Sequence, residues 1–473
     1  MFSVLLIPEI KPMNYSRIIL CAIVSLLMSF HLNHAQTIAG GENHTLLLCS
    51  NGNVSSCGAN TNGQLGRGNV TSSNTPVTVT FLSDVIAIAA AGSHSLALKS
   101  NGSLGAWGSN GSGELGTNGS NNINATPVSI SGISNVVSIT AGYNFSAAVT
   151  ANGKVWTWGL NNYGQLGQGN TTDAAIPLEV PTISNAIAVS SKNSHILTLL
   201  SDSTVWTSGL NDYGQLGIGS IVNASVFSQA QGINSAVDIA CGGLHSLVLL
   251  NGGYVLAFGR NNFGQLATSG LNSNSTPDTI HTLEDVVKIA AGKDFSMALK
   301  SDGTVWTWGR NTNGQLGNGT TIHSNIPQQV PGLNQIVEIK AGDTHAFAKS
   351  EDGTIWTWGN GAIGALGNGS SGNVLSPITI TPNCGSVTGI NKQYTTQSRV
   401  YPNPNNGMFN VELVVKNSRH ASLNVINSMG QYVFRTVLTA DTQPLNLSHL
   451  AKGIYFIQIQ SEKEIETQRI VIE

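Results

Sequence analysis

The chain carries little charge. Only 10% of its 473 residues are charged, and its formal net charge is -3. A chain with so few basic residues has no strongly positive surface that could follow a phosphate backbone, so we predict no nucleic-acid partner. Its solubility must rest on uncharged polar loops, because glycine, asparagine, serine and threonine are abundant.

Cysteines are few and show no metal-binding or redox spacing. The sequence has five, without a CxxC pair, which excludes a zinc ribbon and a fold held together by many disulfides. Cys49 and Cys57 flank a predicted turn but fall out of register with each other, so we expect no bond between them. Cys57 stands where other repeats have tryptophan, which predicts a buried free thiol. Cys241 and Cys384 carry no pairing prediction.

Long apolar runs are absent outside the N-terminal segment. Basic residues precede an apolar stretch at residues 18–30, and Ala35 supplies a small residue for cleavage. This order is typical of an export signal, and the stretch is too short to cross a bilayer comfortably. We therefore predict a signal peptide at residues 1–35 and a mature chain that begins near Gln36 and has no transmembrane segment.

The familiar catalytic and cofactor motifs are missing too. We find no GxSxG, HExxH, P-loop or calcium-loop pattern, and the few carboxylates form no evident pair. Residues 367–372 satisfy GxGxxG, but a dinucleotide site would need a helix after them, and none is predicted. We therefore predict no cofactor, no metal and no catalytic residue.

What the chain does contain is a sevenfold repeat. A tetrapeptide close to Gly-Gln-Leu-Gly recurs every 50 or 51 residues, with its leading glycine at Gly63, Gly113, Gly164, Gly214, Gly264, Gly314 and Gly364. Self-similarity at this length indicates a supersecondary unit that cannot bury its apolar face alone and must stack on its neighbours. The chain is therefore an array, and its function must lie on the surface of that array.

Each repeat predicts about four β-strands. In the sixth copy two alternating runs, at residues 296–300 and 304–309, are joined by Asp302-Gly303, and a two-residue turn of this kind needs positive φ. Short Val/Ile runs precede and follow the hairpin, without a helical period. Seven such units predict an all-β fold, a seven-bladed β-propeller followed by a small β-sandwich, with a linear β-solenoid as the competing arrangement of the repeats.

Two features favour the closed ring. The strand that enters each unit ends in small residues, such as Ala141-Gly142 and Ala291-Gly292, as crowding near a central axis requires. The seventh copy lacks a following Val-Val-x-Ile-Ala strand, whereas the first copy opens with Thr-Ile-Ala-Gly at residues 37–40. We expect this N-terminal strand to complete the last blade, because such closure would protect the sheet edges.

The repeat unit resembles that of a known family. The motifs Ala-Gly-x-x-His-Ser, Asp-Gly-x-Val-Trp-x-Trp-Gly and Asn-x-x-Gly-Gln-Leu-Gly follow one another over residues 37–381, as in the regulator of chromosome condensation family. The resemblance implies a seven-bladed propeller that serves chiefly as a binding scaffold. Founding members of that family promote nucleotide exchange on a small nuclear GTPase and bind chromatin. An exported chain without a basic face does not suit that activity.

The C-terminal segment resembles a second family. Tyr-Pro-Asn-Pro at 401–404, Met-Gly-Gln at 429–431, Gly-Ile-Tyr at 453–455 and a basic-apolar end at 469–473 arrive in the order of the C-terminal sorting domain of type IX secretion substrates. The resemblance implies a Gram-negative cell, the type IX secretion machinery as a partner, and release or attachment at the outer surface after removal of this domain. Alternating runs in this segment carry the β-sandwich prediction.

The predicted organisation has four parts. These are the signal peptide at 1–35, the propeller at 36–382, a linker at 383–399 and the sorting domain at 400–473. We therefore expect the protein to be secreted or held on the outer cell surface.

A histidine recurs at one position of five repeats: His44, His94, His195, His245 and His345. Five imidazoles on a ring raise a metal hypothesis. However, Phe145 and Phe295 take the same position in the other two repeats, and equivalent positions are spread around the axis. We predict packed, hydrogen-bonded structural histidines. Tryptophans such as Trp158 and Trp308 are likewise predicted to pack blades rather than to stack on sugars.

Two sets of loops vary between repeats, and a propeller presents its function on such loops. One set follows each Gly-Gln-Leu-Gly, for example at residues 117–125 and 171–175. The other is the turn between Ala-Gly and His, where the candidate binding residues are Glu42, Tyr143, Asn144, Lys192, Asn193, Lys293, Asp294 and Asp343. If these turns cluster at one mouth of the central channel, they form a mixed-charge and aromatic ring suited to a protein or glycan. Ordinary solvated turns are the alternative.

The sequence therefore predicts an exported, non-enzymatic propeller that binds an extracellular or cell-surface protein or glycan. One alternative is a polysaccharide-active hydrolase or lyase, which a carboxylate pair or a metal in the channel would favour. Another is an inhibitor of a secreted enzyme, which an exposed aromatic patch on one face would favour. Guanine nucleotide exchange stays open through the family resemblance alone.

Overall fold

The computed structural model describes residues 37–119, 121–268, 270–384, 399–401, 406–412, 421–427, 432–438, 442–460 and 465–472. The chain divides into two compact units, Met1–Gly385 and Ser386–Glu473, and each is described by itself. The predicted signal peptide, most of the Tyr-Pro-Asn-Pro motif and the Met-Gly-Gln motif lie outside the described residues.

Within the described part of residues 37–384, the chain forms seven four-stranded antiparallel sheets in which consecutive strands pair. We number these sheets as blades 1 to 7 in chain order. Blades 1 to 3 contain β1 (Ile38–Gly40), β2 (His44–Leu48), β3 (Val54–Gly58) and β4 (Ser73–Thr78); β5 (Val85–Ala91), β6 (His94–Lys99), β7 (Leu104–Ser109) and β8 (Ile123–Ser129); and β9 (Val136–Gly142), β10 (Phe145–Thr150), β11 (Val155–Gly159) and β12 (Ala174–Glu179). Blades 4 and 5 contain β13 (Ala186–Ser191), β14 (His195–Leu200), β15 (Val205–Gly209) and β16 (Ala224–Gln229); and β17 (Ala236–Cys241), β18 (His245–Leu250), β19 (Val255–Gly259) and β20 (Asn274–Thr279). Blades 6 and 7 contain β21 (Val286–Ala291), β22 (Phe295–Lys300), β23 (Val305–Gly309) and β24 (Ser324–Gln329); and β25 (Ile336–Ala341), β26 (His345–Ser350), β27 (Ile355–Gly359), the short 3-10 helix η1 (Ala362–Gly364) and β28 (Val374–Ile380).

The seven blades close into a ring. The first strand of every blade contacts the first strands of both flanking blades, in the series β1, β5, β9, β13, β17, β21, β25 and back to β1. First strands therefore lie nearest the axis, and fourth strands lie on the outside. This closed series confirms the predicted seven-bladed propeller and excludes the linear solenoid.

The hairpin turns form where the sequence predicts them. Gly102 and Gly153 each end an Asn-Gly pair, and their φ angles are 77° and 76°. Residues that carry a side chain rarely adopt a positive φ, which is why glycine follows asparagine in the turn. The strand that leaves the second of these turns buries Val155 and Trp158 completely.

The apolar core lies between the blades. Met297 and Leu299 of blade 6, for example, pack in one cluster with Ile339 and Trp358 of blade 7. Full burial of an apolar side chain of this size contributes about 1.5–3 kcal/mol. Every interface between blades therefore adds to the stability of the ring, as expected for stacked repeats.

The Gly-Gln-Leu-Gly loops fasten each blade to the next. Trp107 of blade 2 donates its indole N–H to the backbone oxygen of Gln64 in blade 1 at 2.8 Å, and the Ser95 hydroxyl donates to the same oxygen at 3.0 Å. Three further indoles do the same: Trp158 to Glu114, Trp308 to Gln265 and Trp358 to Gln315, at 2.9, 2.8 and 3.0 Å. These tryptophans pack between blades, as predicted.

The prediction that the N-terminal strand completes the last blade is wrong. Strand β1 pairs with β2 inside blade 1, with Ile38 opposite Leu47, and β28 pairs with β27 inside blade 7. Each repeat forms its own blade because its four strands follow one another through antiparallel connections. Blades 1 and 7 therefore meet through loops and side chains.

A disulfide joins the two ends of the propeller. Cys49 in blade 1 is bonded to Cys384, which follows blade 7, and their Cα atoms are 5.7 Å apart. Several hydrogen bonds support the junction, among them Gly369 N–H to the Asn74 backbone oxygen at 2.8 Å and the Thr37 hydroxyl to the Glu338 carboxylate. An apolar cluster lies at the same junction: Ile38, Leu47, Phe347, Ile355 and Ile380.

Cys57 is free and buried, as predicted, and burial raises its pKa to about 12.

The C-terminal unit contains two small antiparallel sheets in its described residues. In chain order the strands are β29 (Arg399–Tyr401), β30 (Met408–Glu412), β31 (Ala421–Asn427), β32 (Tyr432–Leu438), β33 (Thr442–Asn446), β34 (Gly453–Gln460) and β35 (Ile465–Ile472). One sheet has the order β29-β30-β33, and the other has the order β32-β31-β34-β35. Val411 and Leu445 of the first sheet share one buried cluster with Leu423 and Ile457 of the second. Two sheets around one apolar core form a small β-sandwich, as predicted.

Candidate functional site

One end of the propeller carries both sets of variable loops. Because the strands of a blade alternate in direction, the turn between the first and second strands and the loop between the third and fourth leave at the same end. We call this end the turn face. Its turns are bonded to their neighbours: Tyr143 N–H donates to the Asn193 oxygen at 2.8 Å, and Lys293 N–H to the Asp343 oxygen at 2.8 Å. The structure therefore brings the predicted turn residues into one ring around the axis, which we call the turn ring.

Lys192 crosses the axis. It belongs to blade 4, yet its Nζ donates to the Ala341 oxygen in blade 7 at 2.9 Å and lies 3.7 Å from Asp343 Oδ1. Other blades have glycine or alanine at this position, for example Gly142. Burial lowers the pKa of Lys192 and raises the pKa of Asp343, and the attraction between the two charges opposes both shifts. The pair thus ties blades 4 and 7 together at the mouth of the channel.

Asp294 is also committed to internal contacts. Its Oδ2 accepts a hydrogen bond from Arg310 Nη1 at 3.2 Å, and its Oδ1 lies 3.8 Å from Arg260 Nη1. Only 6% of its side chain is exposed. Asp294 therefore orients two arginines of adjacent loops.

The other five predicted residues remain accessible on the turn ring. Tyr143 is 43% exposed, Lys293 is exposed, and Glu42, Asn144 and Asn193 are half-buried. Burial, and then the nearby Asp343 carboxylate, raises the pKa of Glu42, while Lys293 acts in the opposite direction. Of the eight predicted residues, Lys192 and Asp294 are buried, Asp343 is half-buried like Glu42, Asn144 and Asn193, and Tyr143 and Lys293 are exposed.

The five repeat histidines lie between blades. His44 Nε2 is 3.0 Å from the Ser95 hydroxyl of the next blade. The same contact joins His94 to Ser146, His195 to Ser246, His245 to Ser296 and His345 to Thr45. All five imidazoles are fully buried, and burial lowers their pKa values to about 3 or about 4. They are neutral structural residues, in agreement with the prediction.

A second cluster on the turn face was missed by the sequence analysis. The Arg260 guanidinium lies 5.3 Å from the ring centroid of Tyr213 and 5.7 Å from that of Phe263. Arg310 lies 5.0 Å from the Phe263 centroid, and the His323 ring meets the edge of Phe263 at a centroid distance of 5.2 Å. We call these five residues the arginine–aromatic cluster. The signal that could have found it is a departure from the repeat, since other blades have Ala, Ser, Leu or Asn where these arginines stand.

Two further findings concern the described residues only. Among them, no group of three or more His, Cys, Asp and Glu side chains is placed to hold a metal ion. No helix in this part of the chain has the length and apolar character required to cross a membrane.

The sequence matches two family models. The model described as the RCC1-like domain matches residues 21–319 and 84–395. The model described as the secretion system C-terminal sorting domain matches residues 399–473.

Solved structures share the propeller. Prp20p from Saccharomyces cerevisiae superposes with a TM-score of 0.64 at 24% identity, over 75% of this chain and 90% of that chain. Human WBSCR16 superposes with a TM-score of 0.63 at 21% identity, over 70% of this chain and 94% of that chain. At these identities the likeness shows the fold alone.

Curated relatives match over short stretches. The probable E3 ubiquitin-protein ligase HERC6 of Homo sapiens is 30% identical over 135 residues, which is 28% of this chain and 13% of the relative. Protein pim1 of Schizosaccharomyces pombe is 26% identical over 140 residues, which is 30% of this chain and 19% of the relative. The chain therefore spans less than about a fifth of the length of these relatives.

Proposed function

This chain belongs to the RCC1-like domain family and ends in a secretion system C-terminal sorting domain, and on that premise we propose that it is an exported, non-enzymatic binding module. Its turn face holds an extracellular or cell-surface protein or glycan. One observation carries the proposal. Internal ion pairs of Lys192, Asp294 and Asp343 fix the turns of blades 4, 6 and 7, and the blade 3 turn is held by the hydrogen bond from Tyr143 N–H to the Asn193 backbone oxygen. Tyr143 and Lys293 stay exposed on these turns. A surface arranged in this way loses little conformational entropy on binding.

Export rests on both ends of the chain. In this proposal residues 1–35 act as the signal peptide, and residues 400–473 engage the type IX machinery of a Gram-negative cell and are then removed. The Cys49–Cys384 disulfide supports this route, because such bonds form and persist in oxidising compartments. Deleting residues 400–473 is expected to abolish appearance of the propeller at the surface and in the medium. Its continued appearance there would refute the sorting role.

A binding screen tests the function directly. The purified chain is presented to a glycan array and to the surface and secreted proteins of the producing cell, and we expect saturable binding to one of them. Tyr143→Ala and Lys293→Ala should each weaken this binding by about tenfold or more, the loss typical of residues central to an interface. Tyr254→Ala is the matched control, because Tyr254 is 47% exposed but lies in the turn between β18 and β19, at the opposite end. Equal losses for Tyr143→Ala and Tyr254→Ala would argue against the turn face.

A polysaccharide hydrolase is the second candidate, and one observation favours it. Burial, and then the nearby Asp343 carboxylate, raises the pKa of Glu42, and glycosidases use two carboxyl groups, one of which is protonated. If the chain turns over a polysaccharide and Glu42→Gln abolishes the turnover, the enzyme is favoured. If the chain binds a polysaccharide without turning it over, and Glu42→Gln does not change this binding, the binding module is supported.

A further inference from the structure

We propose that the arginine–aromatic cluster, extended by Tyr163 of blade 3, is a binding surface for an acidic polysaccharide. This inference rests on the proposed function, because it names the partner class for the same turn face. The surface consists of Tyr163, Tyr213, Arg260, Phe263, Arg310 and His323.

The fold does not require the aromatic and arginine residues of this surface, whereas His323 accepts a hydrogen bond from Asn311 N–H at 2.9 Å within its own loop. Tyr163, Tyr213 and Phe263 precede the leading glycine of Gly-Gln-Leu-Gly, and other blades place asparagine, serine or isoleucine there. Arg260 and Arg310 follow the glycine that ends the third strand, where other blades have Ala, Ser, Leu or Asn. Because those blades form with smaller or uncharged side chains, blade packing does not account for the aromatic and arginine residues. They are therefore candidates for recognition.

The two guanidinium groups are fixed in place but partly accessible. Arg310 donates from Nε to the Thr312 hydroxyl at 3.1 Å and from Nη1 to Asp294 at 3.2 Å. Arg260 lies against Tyr213 and Phe263, and its buried Nε has no hydrogen-bond partner. The Arg260 side chain is 24% exposed, and the Arg310 side chain is 33% exposed. An arginine held in this way is prepared for the paired hydrogen bonds that carboxylate and sulfate groups accept.

The two guanidinium groups favour an anionic ligand. Asp294 offsets part of their charge, and Lys293 lies near the Glu42 and Asp343 carboxylates. The partly exposed Arg260 and Arg310 side chains therefore provide the cationic contacts for a negatively charged polymer.

The repetition of the surface favours a polysaccharide over a protein. The three aromatic residues occupy the same position in blades 3, 4 and 5, and each follows an exposed polar residue: Asn162, Asp212 and Asn262. A polymer of repeating sugars can place one ring and its hydroxyls against each aromatic–polar pair. A protein interface would instead require an apolar, desolvated centre. Aliphatic residues are exposed at both ends of the propeller, Val137 and Val237 at the start of first strands and Ile221, Val222 and Ile322 in loops of the turn face. The repeated aromatic–polar pairs, and not the distribution of aliphatic residues, therefore favour the polysaccharide.

The inference can be tested by native electrophoresis of the purified chain. The gels contain polygalacturonate, dextran sulfate or neutral dextran. We expect both acidic polymers, with carboxylate and sulfate groups respectively, to retard the chain, and neutral dextran to leave its mobility unchanged. Arg260→Gln and Arg310→Gln should each lower the affinity by about tenfold, the loss of one charge-assisted contact. Arg67→Gln is the control, since it removes one positive charge from blade 1, away from the cluster.

Three results would overturn the proposal. These are the absence of retardation by either acidic polymer, an equal loss of affinity in Arg67→Gln, and retention of full affinity in both cluster variants. Thermal unfolding of each variant reports its folding. Tyr163→Ala, at a side chain 38% exposed, provides a variant that does not disturb the Asp294 contacts and should also bind more weakly.

The experiment distinguishes failure of the acidic-polysaccharide surface from failure of the proposed binding function. A protein or neutral glycan that binds through Tyr143 and Lys293, and is indifferent to Arg260 and Arg310, would leave the binding module intact and refute the acidic-polysaccharide surface. Retardation that depends on Arg260 and Arg310 but not on Tyr143 supports the inference and places the contact outside the turn ring.

Discussion

Five buried histidines make the stability of the propeller depend on pH. Their pKa values in the folded chain are about 3 or about 4, whereas an unfolded histidine titrates near about 6.5. Below that pH the unfolded chain binds protons that the folded chain does not bind, so the folded state loses stability as pH falls. Each histidine contributes a slope of about 1.4 kcal/mol per pH unit between the two pKa values.

Denaturant unfolding at pH 7.5, 6.0 and 5.0 checks this linkage. His195→Phe should reduce the pH slope by about one proton, because phenylalanine already occupies this position as Phe145 and Phe295. A slope that His195→Phe does not alter would mean that His195 is protonated in the folded chain.

The cross-axis ion pair gives a second prediction at this scale. Lys192→Ala leaves the Asp343 carboxylate largely buried without its cation, and we expect the free energy of unfolding to fall by about 3 kcal/mol. The double variant Lys192→Met/Asp343→Leu removes both charges and should be far closer to the native protein in stability. If Lys192→Ala and the double variant lose equal stability in chemical denaturation, the loss comes from packing and not from an unpaired charge.

At the scale of the element, the Gly-Gln-Leu-Gly loop depends on close approach to the next blade. Gly164 has a φ of +79°, and a Cβ there would fall 2.4 Å from the Ser225 Cα in blade 4. Gly232 has a φ of +70° with nothing within 4 Å of its Cβ position. Gly232→Ala should therefore cost about 1 kcal/mol for its backbone alone, and Gly164→Ala should cost several times as much. Similar losses in thermal unfolding would contradict the role of the loop as a fastener between blades.

Local elements could be predicted from the sequence, and contacts between distant elements could not. Local sequence predicts the Asn-Gly and Asp-Gly turns and the strands beside them, and the number of repeats predicts the number of blades. The closure of the ring does not follow from local sequence, because it depends on Cys49 and Cys384, which are 335 residues apart. The repeat suggested that the turns between first and second strands could cluster, but it gave no reason for Lys192 to reach blade 7. The arginine–aromatic cluster was not predicted, because it is formed by residues of a few blades that depart from the shared repeat pattern.

At the scale of the whole molecule, the disulfide should be the main covalent support of the ring. Cys49→Ser/Cys384→Ser is expected to lower the free energy of unfolding by about 2–4 kcal/mol. Reducing agent should lower the stability of the native protein by a similar amount and have no effect on the double variant. An equal effect of reductant on both proteins would show that the bond does not contribute.

The same bond makes the propeller a covalent circle. If an external protease cuts one loop between Cys49 and Cys384, the two pieces remain a single molecule, and the blade contacts hold the broken ends near each other at high effective concentration. A nicked propeller should therefore keep its ligand, run as one band without reductant and separate into two bands with it. A cut after Cys384 falls outside the circle, so the C-terminal sorting domain can be cut away while the circle stays whole.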